Sequence, residues 1–242
     1  MPDGNRKNLL VYFHGMGSTK DENYEFQTAL ANELNAYLLS PESTLPSKRA
    51  TGGYAWYPMS ISGGVRRHYL NLDPASSKAR RPFKSIVVLE PKDMKICFTF
   101  QMGQASQEIL KELANRKLKY TDVIFSGRGQ GAFAAMFQAL SLKYYYPQPA
   151  KAVIPINGYY RNSLVTGGTS TKIFEKDCPV LWIAGDRDDV LPAKDKASYT
   201  ILQQSGVKKL EFAVMPGSTH DILPVSGASF VAEKLRAMGI SM

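Results

Sequence analysis

Val123-Ile124-Phe125-Ser126-Gly127-Arg128-Gly129-Gln130-Gly131-Ala132-Phe133-Ala134-Ala135-Met136 reads as a buried strand, a glycine-dense turn and a helix. At the turn, Gly127-Arg128-Gly129-Gln130-Gly131 has the spacing of a G-x-S-x-G elbow with glycine in the place of the serine. The central residue of such an elbow sits on a sharp strand-to-helix bend with unusual backbone angles, and the flanking glycines keep side chains off the adjoining strand and helix. Gly129 suits that backbone at no steric cost. It brings no oxygen with which to attack a carbonyl.

Outward from this turn, apolar strands alternate with helical patterns. Leu9 to Phe13 is a short apolar strand running into His14-Gly15-Met16-Gly17-Ser18, after which Phe26, Ala29, Leu30 and Leu34 recur at helical spacing. A second strand fits Tyr37 to Ser40. The stretch from Pro41 to Pro82, rich in Gly, Ser, Pro and Arg, reads as lid-like loops, and Ser85 to Glu90 and Lys95 to Phe100 read as a hairpin turned at Pro91-Lys92-Asp93-Met94, so positions 41–100 are expected to hold lid-like loops and an extra hairpin within the domain. Ala105 to Ala114 is helical. Then follow the strand Val123 to Phe125, the helix Gly131 to Leu142, the strands Ala152 to Ile156 and Val180 to Ala184, the helix Ala193 to Gln204, the strand Leu210 to Val214 and a last helix through Phe230 to Met238. This order predicts an α/β fold: a mostly parallel central sheet with helices on both faces, the functional groups gathered on loops beyond the strands' carboxyl ends. With 242 residues, 44% apolar and 21% charged, a single domain over 1–242 is expected.

No apolar run approaches the roughly 20 residues that cross a bilayer. The polar, basic start from Met1 to Asn8 lacks the pattern of a secretory signal, so the cytoplasm is the expected location. Cys97 and Cys178 lie in or beside apolar segments and read as buried thiols. Thirty Lys and Arg against 21 Asp and Glu give a formal charge of +9, concentrated at Arg66-Arg67, Lys78 to Lys84 and Arg116, Lys117 and Lys119. A solvated surface is the simpler account of these charges; the alternative is a field that draws an anionic headgroup or an acidic membrane surface. No nucleic-acid partner is expected, since zinc-finger spacing, a basic heptad region and an aromatic ribonucleoprotein motif are all missing.

An elbow's partners follow it in the order acid, then histidine. Only His220 lies beyond position 129; His14 and His68 precede it, and His14 suits a bracing role in the loop after the first strand. The acid is expected after the preceding strand, in Gly185-Asp186-Arg187-Asp188-Asp189-Val190-Leu191-Pro192. Asp188 is the choice, with Val190 and Pro192 anchoring the loop behind it, while Asp186 and Asp189 suit helix capping or solvent. An acid there holds the imidazole in one tautomer and stabilises its cation. The backbone N–H groups of Gln130, just after the elbow, and of Met16, after the first strand, are the candidate oxyanion donors. Ser126 and Ser218 are poorly placed to replace the missing hydroxyl.

Gly127, Gly129 and Ala132 also match the dinucleotide fingerprint G-x-G-x-x-G/A. That motif wants an acid about 20 residues on, whereas no Asp or Glu occurs from Gln130 to Phe174; Lys151 is a candidate partner for a phosphorylated cofactor. No Gly-Lys-Ser/Thr is present to end a P-loop. The expected site therefore needs neither cofactor nor metal.

Together these segments resemble the phospholipase/carboxylesterase group of α/β-hydrolases, which includes bacterial carboxylesterases and acyl-protein thioesterases. Phe13 to Gly17 is similar to that family's oxyanion loop, Phe125 to Ala132 to its elbow, and Gly185 to Pro192 and Pro216 to His220 to its acid and histidine loops. Gly53-Tyr54-Ala55-Trp56-Tyr57 resembles its Ala-Trp-Phe/Tyr segment near the acyl site, which implies Trp56 and Tyr57 as substrate-binding residues, although aromatic loop residues equally well pack the domain. The resemblance implies an esterase or thioesterase with a small or lipid-like acyl substrate. Here Gly129 stands where the family has its serine, so the chain is expected to be nearly inactive, or to be a binder of an acyl or carbonyl ligand or of a protein partner.

Overall fold

The computed structural model describes residues 6–47, 53–57, 91–141, 148–160, 175–190 and 192–242; the side chains of 91–97 and 192–195 lie outside that description. Six strands, β1 (Asn8–Phe13), β2 (Ala36–Leu39), β3 (Val123–Arg128), β4 (Ala152–Ile156), β5 (Val180–Arg187) and β6 (Leu210–Thr219), form one sheet in the order β2-β1-β3-β4-β5-β6. Every neighbouring pair runs parallel. All residues of β1, β3 and β4 are buried, which is why these strands read as continuous apolar runs rather than alternating ones.

Helices cover both faces. Against one face, α1 (Tyr24–Glu33) and α5 (Gly227–Ala237) pack Phe26, Leu30, Val231 and Leu235 on Leu10, Ile124, Ile154 and Ile183. Against the other, α2 (Pro91–Arg116), α3 (Gln130–Ser141) and α4 (Pro192–Gln204) supply Phe98, Ile109, Phe133 and Leu202 to a core with Leu9, Val11, Phe125 and Trp182. Helix α3 is apolar nearly all round, with only Phe137 outside the buried set, as befits a helix lodged between the sheet and another helix.

The strand order carries a functional consequence. From β1 the chain steps to β2 at one edge and then returns to place β3 on the other side of β1, so β1 and β3 flank the topological switch point. In open parallel sheets ligand sites form outside the strands' carboxyl ends at that point.

One expectation is overturned. Lys95 to Phe100 is no hairpin arm, because Pro91–Arg116 is a single helix of 26 residues that begins at its proline, where the missing N–H has no intrahelical partner to lose. Phe98, Met102, Ala105, Ile109 and Leu113 are buried at helical spacing, whereas Phe100, which a strand would put on the same side as Phe98, is exposed. Burying that stripe outweighs the local preference of Ile96, Phe98 and Thr99 for a strand. The other arm, the lid-like loops over 58–90 with His68, Arg66, Arg67 and Arg80, and the side chain of Cys97 lie outside the described residues. Cys178 is a buried free thiol. Among the described residues, no helix is long and apolar enough to cross a membrane.

Candidate active site

Gly129 is the single residue between the end of β3 and the start of α3, and its φ is +57°, in the left-handed region. Its N–H donates to the Ile156 carbonyl at 3.1 Å. The glycines on either side serve close packing: a Cβ on Gly127 would lie 2.5 Å from the Gly131 carbonyl oxygen, and one on Gly131 would collide with the Phe13 carbonyl. Gly129 differs from both. Among the described residues other than its chain neighbours, a Cβ there would meet one atom within 4 Å, His220 Nε2, at 3.8 Å.

His220 follows the carboxyl end of β6, and its Nδ1 is 3.0 Å from Asp188 Oδ2. Asp188 follows β5; its other oxygen accepts the Val190 N–H at 2.8 Å, so both carboxylate oxygens are engaged. An imidazole whose Nδ1–H is given to a carboxylate presents Nε2 as an acceptor, here toward the bend at Gly129. The Asp188 side chain is 2% exposed and that of His220 11%, whereas Asp186 and Asp189 face solvent. Of the three competing aspartates, then, Asp188 alone reaches the histidine.

Met16 and Gln130 lie side by side, Gln130 Nε2 standing 3.4 Å from Met16 Sδ. Gln130 opens α3, so its backbone N–H has no acceptor inside the helix. Its side-chain amide is used elsewhere: Oε1 accepts the Trp56 N–H and Nε2 donates to the Tyr57 carbonyl, each at 3.0 Å. Through this pairing the 53–57 segment closes over the loop after β1, which Gly17 and Tyr54 clamp by a 2.8 Å backbone bond. Trp56 and Tyr57 are 1% and 0% exposed. Trp56 Nε1 donates to the His14 carbonyl at 2.8 Å, and the Tyr57 ring meets Phe98 and Phe133 edge-on, an arrangement that favours packing over an open acyl wall.

His14 braces the same loop from inside. Its Nδ1 lies 2.8 Å from the Gly15 carbonyl and its Nε2 accepts the Ser43 N–H at 3.3 Å. Burial holds its pKa below the ordinary histidine value, which keeps the ring neutral and consistent with that bonding. Ser126 donates to the Ile154 carbonyl within the sheet, and Ser218 is buried beside Asn157, so neither hydroxyl faces the bend. Lys151 precedes β4 and binds Asn8 at the opposite, amino end of the strands, which removes it as a phosphate partner for this turn. Among the described residues, no group of three or more His, Cys, Asp or Glu could hold a metal ion.

Two contributors escaped the sequence reading. Asn157, at the end of β4 with φ +46°, accepts the Gly185 N–H at 2.6 Å and donates to the Thr219 carbonyl at 2.7 Å, tying the acid loop to the histidine loop. Arg128, quoted only as a spacer of the elbow, is 5% exposed and paired with Glu22. The signals were an Asn-Gly pair closing an apolar strand and an arginine inside an otherwise apolar segment.

Residues 92–236, more than half of the chain, match the family described as Phospholipase/Carboxylesterase. The chain belongs to that family. Its fold is also that of several solved structures: esterase PE8 is 21% identical with a TM-score of 0.66, over 97% of this chain and 94% of that one. SOBER1 of Arabidopsis thaliana is 19% identical with a TM-score of 0.65, over 96% and 99%. Zea mays acyl-protein thioesterase 2 is 17% identical with a TM-score of 0.57, over 98% and 96%. At these identities the likeness carries the α/β-hydrolase fold. No curated protein sequence matches the chain.

Proposed function

We propose that this phospholipase/carboxylesterase-family chain carries a site for carboxylic esters or acyl thioesters in which Gly129 occupies the nucleophile position, Asp188 and His220 are the acid and base, and the Met16 and Gln130 N–H groups receive the carbonyl oxygen. One observation carries the reading: the direction in which a side chain would leave Gly129 leads to His220 Nε2, at 3.8 Å from the Cβ, and, among the described residues other than its chain neighbours, to no other atom within 4 Å. A hydroxyl one bond further out reaches hydrogen-bonding distance of that nitrogen. His220 would take its proton as the oxygen attacks, and Asp188 would hold the imidazole and stabilise its cation. Two structures that share this fold are named an esterase and an acyl-protein thioesterase, which supports this substrate class.

With glycine at the bend the attacking oxygen is missing, and in a serine protease removal of the nucleophile lowers turnover by about 2 × 10⁶. The chain as it stands is therefore a binder of acyl carbonyl groups with very slow hydrolysis. The test is Gly129→Ser, assayed on short-chain p-nitrophenyl esters and acyl thioesters. Turnover should rise by at least about 10³-fold over the parent and disappear again in Gly129→Ser/His220→Ala. A serine variant that folds and gains nothing over the parent overturns the reading.

A second reading, natural binding of an acyl ligand or protein partner without turnover, is favoured by the backbone at the bend. Glycine adopts φ +57° without strain, whereas a serine must be held there by its surroundings. Calorimetric titration of the parent with an acyl thioester, read together with the serine variant, separates the two: saturable binding by the parent with no turnover gained by Gly129→Ser supports the binder.

A further inference from the structure

Arg128 brings a cation into the interior at the base of the elbow, and its contacts reach more than one loop of the site. Its Nε pairs with Glu22 Oε1, and its Nη1 donates to the His220 carbonyl at 3.0 Å and to Asp221 Oδ1 at 2.6 Å. Glu22, with a side chain 5% exposed, uses Oε2 to accept the Gly15 N–H. Gly15 itself lies against the guanidinium, since a Cβ there would stand 2.5 Å from Nη2. The loop after β1, the turn before α1, the end of β3 and the loop after β6 thus meet on one ion pair. Burying two charges yields little net stability, because desolvation offsets their attraction. What the pair does supply is geometry: a planar fork of fixed donors that reaches a carboxylate and a main-chain carbonyl at once. Among the described residues, Arg128 is the one side chain that donates to the His220 carbonyl.

We propose that Arg128, clamped by Glu22, is a positioning residue that sets the His220 loop against the loop after β1 and so holds the imidazole over Gly129. Its kinetic consequence rests on the hydrolase reading above; its structural consequence does not. With Arg128 in place, His220 keeps Nδ1–H toward Asp188. Without it, the loop is released and the imidazole relaxes toward the mixture of tautomers of a free histidine.

The test uses the full chain and Arg128→Met/Glu22→Gln, which removes both charges together and leaves an acceptor for the Gly15 N–H. Long-range ¹H–¹⁵N correlation from the carbon-bound imidazole protons reads the His220 tautomer. The parent should show Nδ1–H, and the folded double variant should lose that preference. Retention of the Nδ1–H form in the double variant, or its absence from the parent, overturns the proposal. Should the double variant fail to fold, Arg128→Lys keeps the charge beside Glu22 without the fork, and the same loss is expected. In the Gly129→Ser background the double variant should lower kcat by about 100-fold with KM within about twofold, as expected for a misplaced base. Unchanged kcat there counts against positioning, whereas an inactive Gly129→Ser parent sinks the hydrolase reading and leaves the tautomer to decide for Arg128.

Discussion

Gly129 and Gly131 stand two residues apart and serve opposite ends. Gly131 exists for want of space, since a Cβ there would fall on the Phe13 carbonyl, whereas at Gly129 a Cβ would meet only His220 among the described residues other than its chain neighbours, at ordinary contact distance, on a left-handed backbone. Gly129→Ala should therefore cost about 1–2 kcal/mol, the strain of an L-residue in that region. Gly131→Ala, which drives a methyl into main chain, should cost more than about 4 kcal/mol or prevent folding; urea denaturation of the two variants measures the contrast. His14 supplies a second residue-scale prediction. Burial lowers its folded pKa below 6.5, so the unfolded chain takes up a proton that the folded chain refuses. Its contribution is full above that value and declines as pH falls below it. His14→Asn should flatten the decline in unfolding free energy between about pH 7 and about pH 5 relative to the parent.

At the scale of elements, the carboxyl ends of β3, β4, β5 and β6 bring Gly129, Asn157, Asp188 and His220 together, and Asn157 is the fastener between the last two loops. Asn157→Gly removes its amide but tolerates φ +46°; Asn157→Ala removes the amide and adds backbone strain. Losing the bonds to Gly185 and Thr219 should cost about 2–4 kcal/mol in the glycine variant and about 1 kcal/mol more in the alanine variant. Equal stabilities of the two variants by thermal unfolding would remove backbone strain from this account. The strands and the elbow were legible because a buried parallel strand and a glycine-spaced turn are local patterns. Asn157 and Arg128 were not. Their partners lie 28 to 106 residues away, and nothing in the neighbourhood of either residue names them. The misread hairpin has the same origin, since whether Phe98 faces a core is decided by what packs on it.

Across the whole molecule the sheet separates two apolar layers, one under α1 and α5 and one under α2, α3 and α4. Trp56 and Trp182 both report on the second layer, whereas Leu235 belongs to the first. If the layers unfold as one unit, Leu235→Ala should lower stability by about 2–5 kcal/mol and shift the tryptophan fluorescence transition by the same amount as the loss of helical circular dichroism. Separate transitions would show instead that each layer unfolds by itself. The molecule's basic charge bears on partners rather than on this arrangement, because net charge governs association and solubility and not topology.

By itself the amino-acid sequence determined most of the alternation of strands and helices and the bend at Gly129 without a hydroxyl, and it offered Asp188 and His220 as candidates through the order of loops along the chain, since each of these rests on a local pattern of strand, turn and loop. Tertiary structure alone decided that the Cβ direction of Gly129 points at Nε2, that Trp56 and Tyr57 are interior, and that an arginine of the elbow grips the histidine loop through a buried glutamate. These are facts of distance between segments remote in the chain, and distance is set by how the layers pack, which no local pattern encodes.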